Sequence, residues 1–338
     1  MSDVHRVLVT GASGYIATHI VQQLQQNGNY LVRGTVRSLK NPRKIDPLMK
    51  LCGNTTHELE LVEADLTKDE GWLEAVKGCQ YVIHTASPVS LEEPADENEL
   101  IVPAVDGTLR VLKAVSEAGG VKRVVLTSSV AAVLPEIGLT KRLTEEDWTD
   151  PNHPKTGAYT KSKTLAEKAA WDYLNQLGND DKFELSVLNP GFVLGPVLSS
   201  GDGTSISVIK DLLTGRAPGR PDFNFAVVDI RDVAAAHINA MTIAEAAGNR
   251  HLLTFENFWV SEICKVIEDE FKPLGYNPTS IPPGDNKVSV FDNTRMTTVL
   301  GIKPIAGKKT IVDMCYSLIE GGYVEKTEEY KGICNAKK

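Results

Sequence analysis

The sequence predicts an α/β fold: a Rossmann-type doubly wound parallel sheet with a smaller C-terminal substrate domain. Three observations predict it. A β-branched run, Arg6–Thr10, ends at Gly11 and passes through a glycine turn into helical periodicity. Short apolar runs then alternate with helix-patterned segments as far as residue 190, and beyond Pro190-Gly191 that alternation gives way to glycine- and proline-rich stretches.

Taken in order, Ile16, Ile20 and Leu24 recur every four residues, with Asn27-Gly28 as the helix stop. Apolar runs follow at Tyr30–Val36, Leu59–Val62, Tyr81–Thr85, Val124–Thr127 and Leu185–Leu188, with helical patterning over Glu99–Glu117 and Lys161–Leu177. A dinucleotide-binding domain over 1–190 and a smaller substrate-binding domain over 191–338 are expected. Segments near 225–240 and 287–293, with strands at Phe225–Ile230 and Lys287–Phe291, are expected to return to the main sheet.

The composition excludes several classes. Of 338 residues, 42% are hydrophobic and 24% charged, the balance of a globular protein rather than a disordered or fibrous one. With 44 acids against 36 bases the net charge is −8, which argues against nucleic acid or an anionic membrane as partner. The five cysteines are scattered and never form a CxxC pair, so neither a disulfide framework nor a metal site is expected. No leader pattern or apolar run of membrane-spanning length stands out, and a cytoplasmic location is expected.

The stretch Gly11-Ala12-Ser13-Gly14-Tyr15-Ile16-Ala17 joins the first strand to the first helix, where backbone amides and a helix N-terminus favour a pyrophosphate. Such a spacing also serves a plain strand–helix connection; its place at the first βα turn favours the cofactor. At the end of the second strand, where an acid would accept the ribose hydroxyls of NAD, stands Arg37. Six bases (Arg33, Arg37, Lys40, Arg43, Lys44, Lys50) lie between residues 33 and 50 against one acid, Asp46. That bias suits the 2′-phosphate of NADP(H).

Tyr159 and Lys163, four apart at the start of a helix, share a face. An ammonium beside a phenol is expected to favour the phenolate and lower the tyrosine's pKa. Ser128-Ser129 ends the strand Val124–Thr127, where open α/β sheets place their chemistry, and either hydroxyl suits a carbonyl oxygen.

With these residues in view, the chain resembles the extended short-chain dehydrogenase/reductases, in the branch of dihydroflavonol reductases, cinnamoyl-CoA reductases and yeast methylglyoxal reductases. VTGASGYIA (9–17), GTVRS (34–38), ADL (64–66), HTASP (84–88), TSS (127–129), YTKSK (159–163), NPGFVLGP (189–196) and VVDIRDVAAAH (227–237) stand in that family's order. The resemblance implies Ser129 as the carbonyl-orienting hydroxyl, Tyr159 as proton donor and Lys163 as its tuner and ribose ligand. It further implies Arg37 and Lys44 at the 2′-phosphate and Asp65 and Leu66 beside adenine. Thr85, Ala86 and Ser87 would line ribose and nicotinamide, and Pro190, Gly191 and Val193 the carboxamide, with Ser205 as a further cofactor contact. Val89, Val130, Phe192, Phe223 and Phe225 are expected around the substrate, with Trp259 as a further wall. His84 is expected to be structural. Val105-Asp106-Gly107 lacks the asparagine with which many relatives complete a proton relay.

The expected function is NADPH-dependent reduction of hydrophobic or aromatic aldehydes and ketones by a monomer. A sterol dehydrogenase or nucleotide-sugar epimerase is the rival enzyme reading, and a non-catalytic NADPH-sensing protein the rival from another class.

Overall fold

The computed structural model describes residues 4–53, 55–88, 94–134, 142–178, 182–198, 203–217, 219–284 and 288–336. Its first half alternates β1 (His5–Thr10), α1 (Tyr15–Asn27), β2 (Tyr30–Val36), α2 (Pro42–Leu51), β3 (Glu60–Glu63), α3 (Trp72–Val76), β4 (Tyr81–His84), α4 (Asn98–Ala118) and β5 (Arg123–Thr127). Then come β6 (Arg142–Leu143), α5 (Ala158–Gln176), β7 (Glu184–Pro190), β8 (Phe192–Leu194), α6 (Thr204–Leu213), β9 (Asn224–Asp229) and α7 (Ile230–Thr242). The chain closes with β10 (Arg250–Leu253), β11 (Glu256–Trp259), α8 (Val260–Phe271), β12 (Val290–Phe291), α9 (Thr294–Thr298), α10 (Gly307–Glu320) and α11 (Glu328–Ala336).

Seven parallel strands form the main sheet in the order β10-β7-β5-β4-β1-β2-β3. β1 and β4 are neighbours at the switch point, so the loops leaving their carboxyl ends frame a crevice. Val7, Val9, Ile83 and Val125 are fully buried, as apolar strands between helical layers must be.

The C-terminal segments return differently from the sequence reading. β9 does not enter the main sheet but pairs parallel with β8 and antiparallel with β11. The helix after it, α7, does return, and its Val233, Ala236 and Ala240 share a core with Ile20 and Leu24 of α1. The strand that joins the sheet is β10, in register with β7, while β12 pairs with β6; residue 287 lies outside the described residues. The physical reason is length and exposure: Val290 is largely exposed and its strand has two residues, too little to bury against the sheet. A separate core of Leu212, Ile263, Phe271, Met314 and Leu318 holds α6, α8 and α10 together.

β10 is an edge strand, and two of its outward backbone groups are occupied by side chains. The Leu252 N–H donates to the Glu145 carboxylate at 3.2 Å, and the Arg250 carbonyl accepts from Arg295 at 3.2 Å. Among the described residues no helix is long and apolar enough to cross a membrane.

Four histidines are buried: His19, His84, His237 and His251. Burial lowers His19, His237 and His251 to about 4 and His84 to about 3. Their folded values lie below the unfolded one, so the stability they contribute is present above pH 6.5 and lost as pH falls through about 4. Asp232, raised by burial to about 6, opposes one of them. Each histidine is expected to add up to about 1.4 kcal/mol per pH unit to the slope of unfolding free energy between those limits. Urea unfolding of wild type and His237→Gln against pH checks this: the variant's slope should be shallower by one proton, and equal slopes would mean that His237 is protonated in the fold.

Candidate active site

The crevice begins at the glycine turn. Gly11 has φ +64°, and a Cβ there would lie 3.1 Å from Ala86 Cβ, so the turn and the loop after β4 approach as closely as glycine allows. The Gly11 and Ala12 amides are tied to Thr35 of β2 at 3.0 and 2.9 Å. α1 then starts from Gly14 with no side-chain cap and no acid in its first turn. Unclaimed amides at a helix start and a glycine-lined approach fit a dinucleotide pyrophosphate. Ser13, Tyr15 and Ile16 are half-buried beside it. The Tyr15 hydroxyl, however, donates to the Gly195 carbonyl at 2.7 Å, and burial raises its pKa; its side chain ties the turn to the C-terminal half.

One hydroxyl sets the other wall. Thr10 Oγ1 accepts the amides of Thr85 and Ala86 at 3.1 and 3.0 Å and stands 2.8 Å from His84 Nδ1. With its lone pairs spent, Thr10 must donate to Nδ1, which leaves the His84 proton on Nε2. His84 is a neutral, buried support.

Arg37 is exposed at the end of β2, Lys44 is half-buried on α2, and Asp65 and Leu66 follow β3 on the same side. Asp65 accepts both the amide and hydroxyl of Thr67, which lowers its pKa, and Arg37 is close enough to lower it further. Arg33 corrects the sequence count of bases: it is buried on β2, paired with Glu60 of β3 at 2.9 Å and donating to the carbonyls of Glu74, Ala75 and Lys77. Its guanidinium is spent on these partners inside the fold. The base-rich stretch also contains a helix, α2, entered through Pro42 and carrying Pro47 within it.

The structure separates the two serines. Ser128 Oγ donates to Glu167 at 2.5 Å and is spent internally. Ser129 stands close enough to the Tyr159 hydroxyl to pull its pKa down, and its Oγ accepts the Ala131 amide at 3.1 Å. Tyr159 and Lys163 enter on the first turns of α5, with the Lys163 ammonium 6.0 Å from the Tyr159 ring centroid and 2.9 Å from Ser87 Oγ. Burial raises the Tyr159 pKa, against the expectation of a lowered one, while Ser129 pulls it down. The ammonium that was to lower it is itself buried and lowered to about 8, with Glu167 acting in the opposite direction.

Pro190 ends β7, and Gly191 and Val193 follow it at the carboxyl edge, where a Cβ on Gly191 would stand 2.1 Å from the Ala226 carbonyl. Ser205 is half-buried on α6, with no hydrogen bond to Ser129, Tyr159 or Lys163 among the described residues. Of the expected substrate residues, Phe192 and Phe225 stack at 4.3 Å against the C-terminal core, and Val130 packs on Val133, Leu143 and Leu252. Phe223 is exposed at 51%, Trp259 heads α8, and Val89 lies outside the described residues. Sequence reasoning passed over Asn189, Glu167 and Arg250, which form a buried network beneath the serines. Glu167 had a signal, eight residues beyond Tyr159 on the same stripe; Arg250 had none.

A glycine turn at the switch point, with a serine, tyrosine and lysine gathered on the same edge, fits a nucleotide-dependent oxidoreductase. Residues 7–253 match the model of the NAD dependent epimerase/dehydratase family, and the chain belongs to that family. It is an oxidoreductase of the extended short-chain type. Cinnamoyl-CoA reductase CAD2 of Medicago truncatula is 38% identical, covering 79% of this chain and 81% of the relative. Maize dihydroflavonol 4-reductase is 34% identical over 80% of this chain and 75% of its own length. The solved structure of Gre2 from Candida albicans in complex with NADPH superposes with a TM-score of 0.82 at 31% identity, covering 94% of this chain and 99% of that one.

Lys163 is expected to titrate near pH 8, against about 10.4 for an exposed lysine. An NMR titration of ¹³C-labelled lysine side chains reads it, and a midpoint above 10 would show that the ammonium is solvated.

Proposed function

We propose that this chain is an NADPH-dependent reductase of hydrophobic or aromatic aldehydes and ketones, with Tyr159 as proton donor. The observation that carries the reading is the gathering of Ser129, Tyr159 and Lys163 at the same carboxyl edge as the glycine turn. The related Gre2 structure with NADPH supports the cofactor, as does Arg37 at the end of β2.

Bound NADPH supplies a hydride to the carbonyl carbon. The remaining work falls to the chain's own groups. Ser129 orients the carbonyl oxygen, and Tyr159, protonated at neutral pH, gives up its proton as negative charge develops there. The phenolate left behind is stabilised by the Ser129 hydroxyl and by the Lys163 ammonium across the ring. Gly11, Ser13, Gly14, Tyr15 and Ile16 would hold the pyrophosphate, Arg37 and Lys44 the 2′-phosphate, and Asp65 and Leu66 the adenine side. Thr85, Ala86, Ser87, Pro190, Gly191 and Val193 would frame ribose and nicotinamide, with Ser205 as an outer contact. Val130 and the Phe192–Phe225 stack favour an apolar substrate. The proposed division assigns residues 1–190, with α7 and β10, to the cofactor and the remainder of 191–338 to the substrate.

NADPH oxidation across a panel of aldehydes, α-dicarbonyls, aryl ketones and flavonoid and steroid ketones tests the reading. Tyr159→Phe is expected to lower kcat by about a thousandfold while leaving the NADPH Kd near wild type; unchanged turnover in that variant would refute Tyr159 as the donor. Arg37→Asp should shift the ratio of NADPH to NADH affinity toward NADH by about tenfold or more. A ratio equal to wild type would place the 2′-phosphate elsewhere.

A further inference from the structure

Beneath the serine, tyrosine and lysine lies a tier of buried charge. Tyr159, Lys163 and Glu167 recur every four residues on α5, so the Glu167 carboxylate shares their face, one turn beyond the lysine. Its side chain is fully buried. Oε2 accepts Ser128 Oγ at 2.5 Å and Asn189 Nδ2 at 2.8 Å; Oε1 accepts Arg250 Nε at 2.5 Å and Trp171 Nε1 at 3.4 Å. The second hydrogen of Asn189 Nδ2 goes to the carbonyl of Ser129 at 3.1 Å. Arg250 also donates to the carbonyls of Glu145 and Asp147 at 2.8 and 2.7 Å, and its guanidinium lies 3.8 Å over the Trp148 ring.

A carboxylate stripped of water is costly to keep even with donors around it, and an apolar residue of like volume commonly packs as well. This one joins four elements at one point: the ends of β5 and β7, β10, and the helix that carries the tyrosine and lysine. We propose that Glu167 is a positioning residue for carbonyl reduction: through Ser128 and Asn189 it fixes the strand end presenting Ser129, and its charge holds Lys163 as an ammonium facing Tyr159. The proposal rests on the reductase reading.

The groups around Lys163 leave that task to Glu167. From α5 it meets Tyr159 and Glu167, from the loop after β4 Ser87, and from β4 the neutral His84. α4 packs along α5, and all of its buried residues are uncharged. The turn at Val130–Ala132 adds only apolar side chains. Arg250 contacts the carboxylate from β10. Among the described residues no other anion raises the lysine's pKa: burial pushes it down to about 8 and Glu167 alone counters.

The test is Glu167→Gln in the full chain, read in two ways. In the lysine NMR titration the Lys163 midpoint should fall by about one unit below wild type. In steady-state turnover kcat should fall about tenfold with the NADPH KM near wild type, and the alkaline limb of the kcat profile should move to lower pH by the same amount. An unmoved Lys163 midpoint overturns the proposal whether or not a substrate has been found. A uniform loss of kcat that tracks a lower Tm, with both limbs in place, also overturns it and leaves Glu167 a structural residue. Loss of turnover in wild type with the NMR shift intact would strike the reductase reading instead. Should Glu167→Gln fail to fold, Glu167→Asp keeps the charge and retracts it: the midpoint should hold while kcat falls about tenfold, and wild-type kcat there overturns the positioning role.

Discussion

The Thr10 hydroxyl is the constraint on which the crevice depends. It saturates its hydrogen-bonding capacity by taking two amides from the loop after β4 and giving its hydrogen to His84. That loop is thereby drawn against the glycine turn, with Ala86 in contact with Gly11. The positions of Ser87, and through it of Lys163, follow from the same bond set. A threonine ending β1 is therefore as much a part of the site as the residues that would touch a ligand.

Much of this was legible in the sequence, for a physical reason. Parallel strands buried on both faces must be short apolar runs, and glycine ends them where the chain turns sharply; Tyr30–Val36 is a strand over its expected bounds. α4 and α5 follow their apolar periodicity to within a few residues. The features that escaped depend on partners distant in the chain. β10 reads no differently from any short mixed run until it lies against β7, and β9 looks like a core strand whichever sheet receives it. α2 is hidden by two prolines, one of which starts it.

The site shows the same division. Spacing pairs Tyr159 with Lys163, strand position brings in the serine pair and the resemblance favours Ser129; packing then commits Ser128 to Glu167 and leaves Ser129 beside Tyr159. Spacing also misleads about charge. An ammonium four residues from a phenol suggests a lowered tyrosine, whereas burial of both groups raises the tyrosine and lowers the lysine. Arg33 likewise counts toward a basic face in sequence and belongs to the interior in space.

The side chains that close off β10 have a bearing on the protein's behaviour at high concentration. A sheet edge with open N–H and C=O groups is a template on which another chain can crystallise as an added strand. Here Glu145 and Arg295 occupy that template from within the same molecule, and the opposite edge, β3, has four residues beginning and ending in glutamate. Fibrillar growth through this sheet would first have to displace a carboxylate and a guanidinium from backbone they already hold.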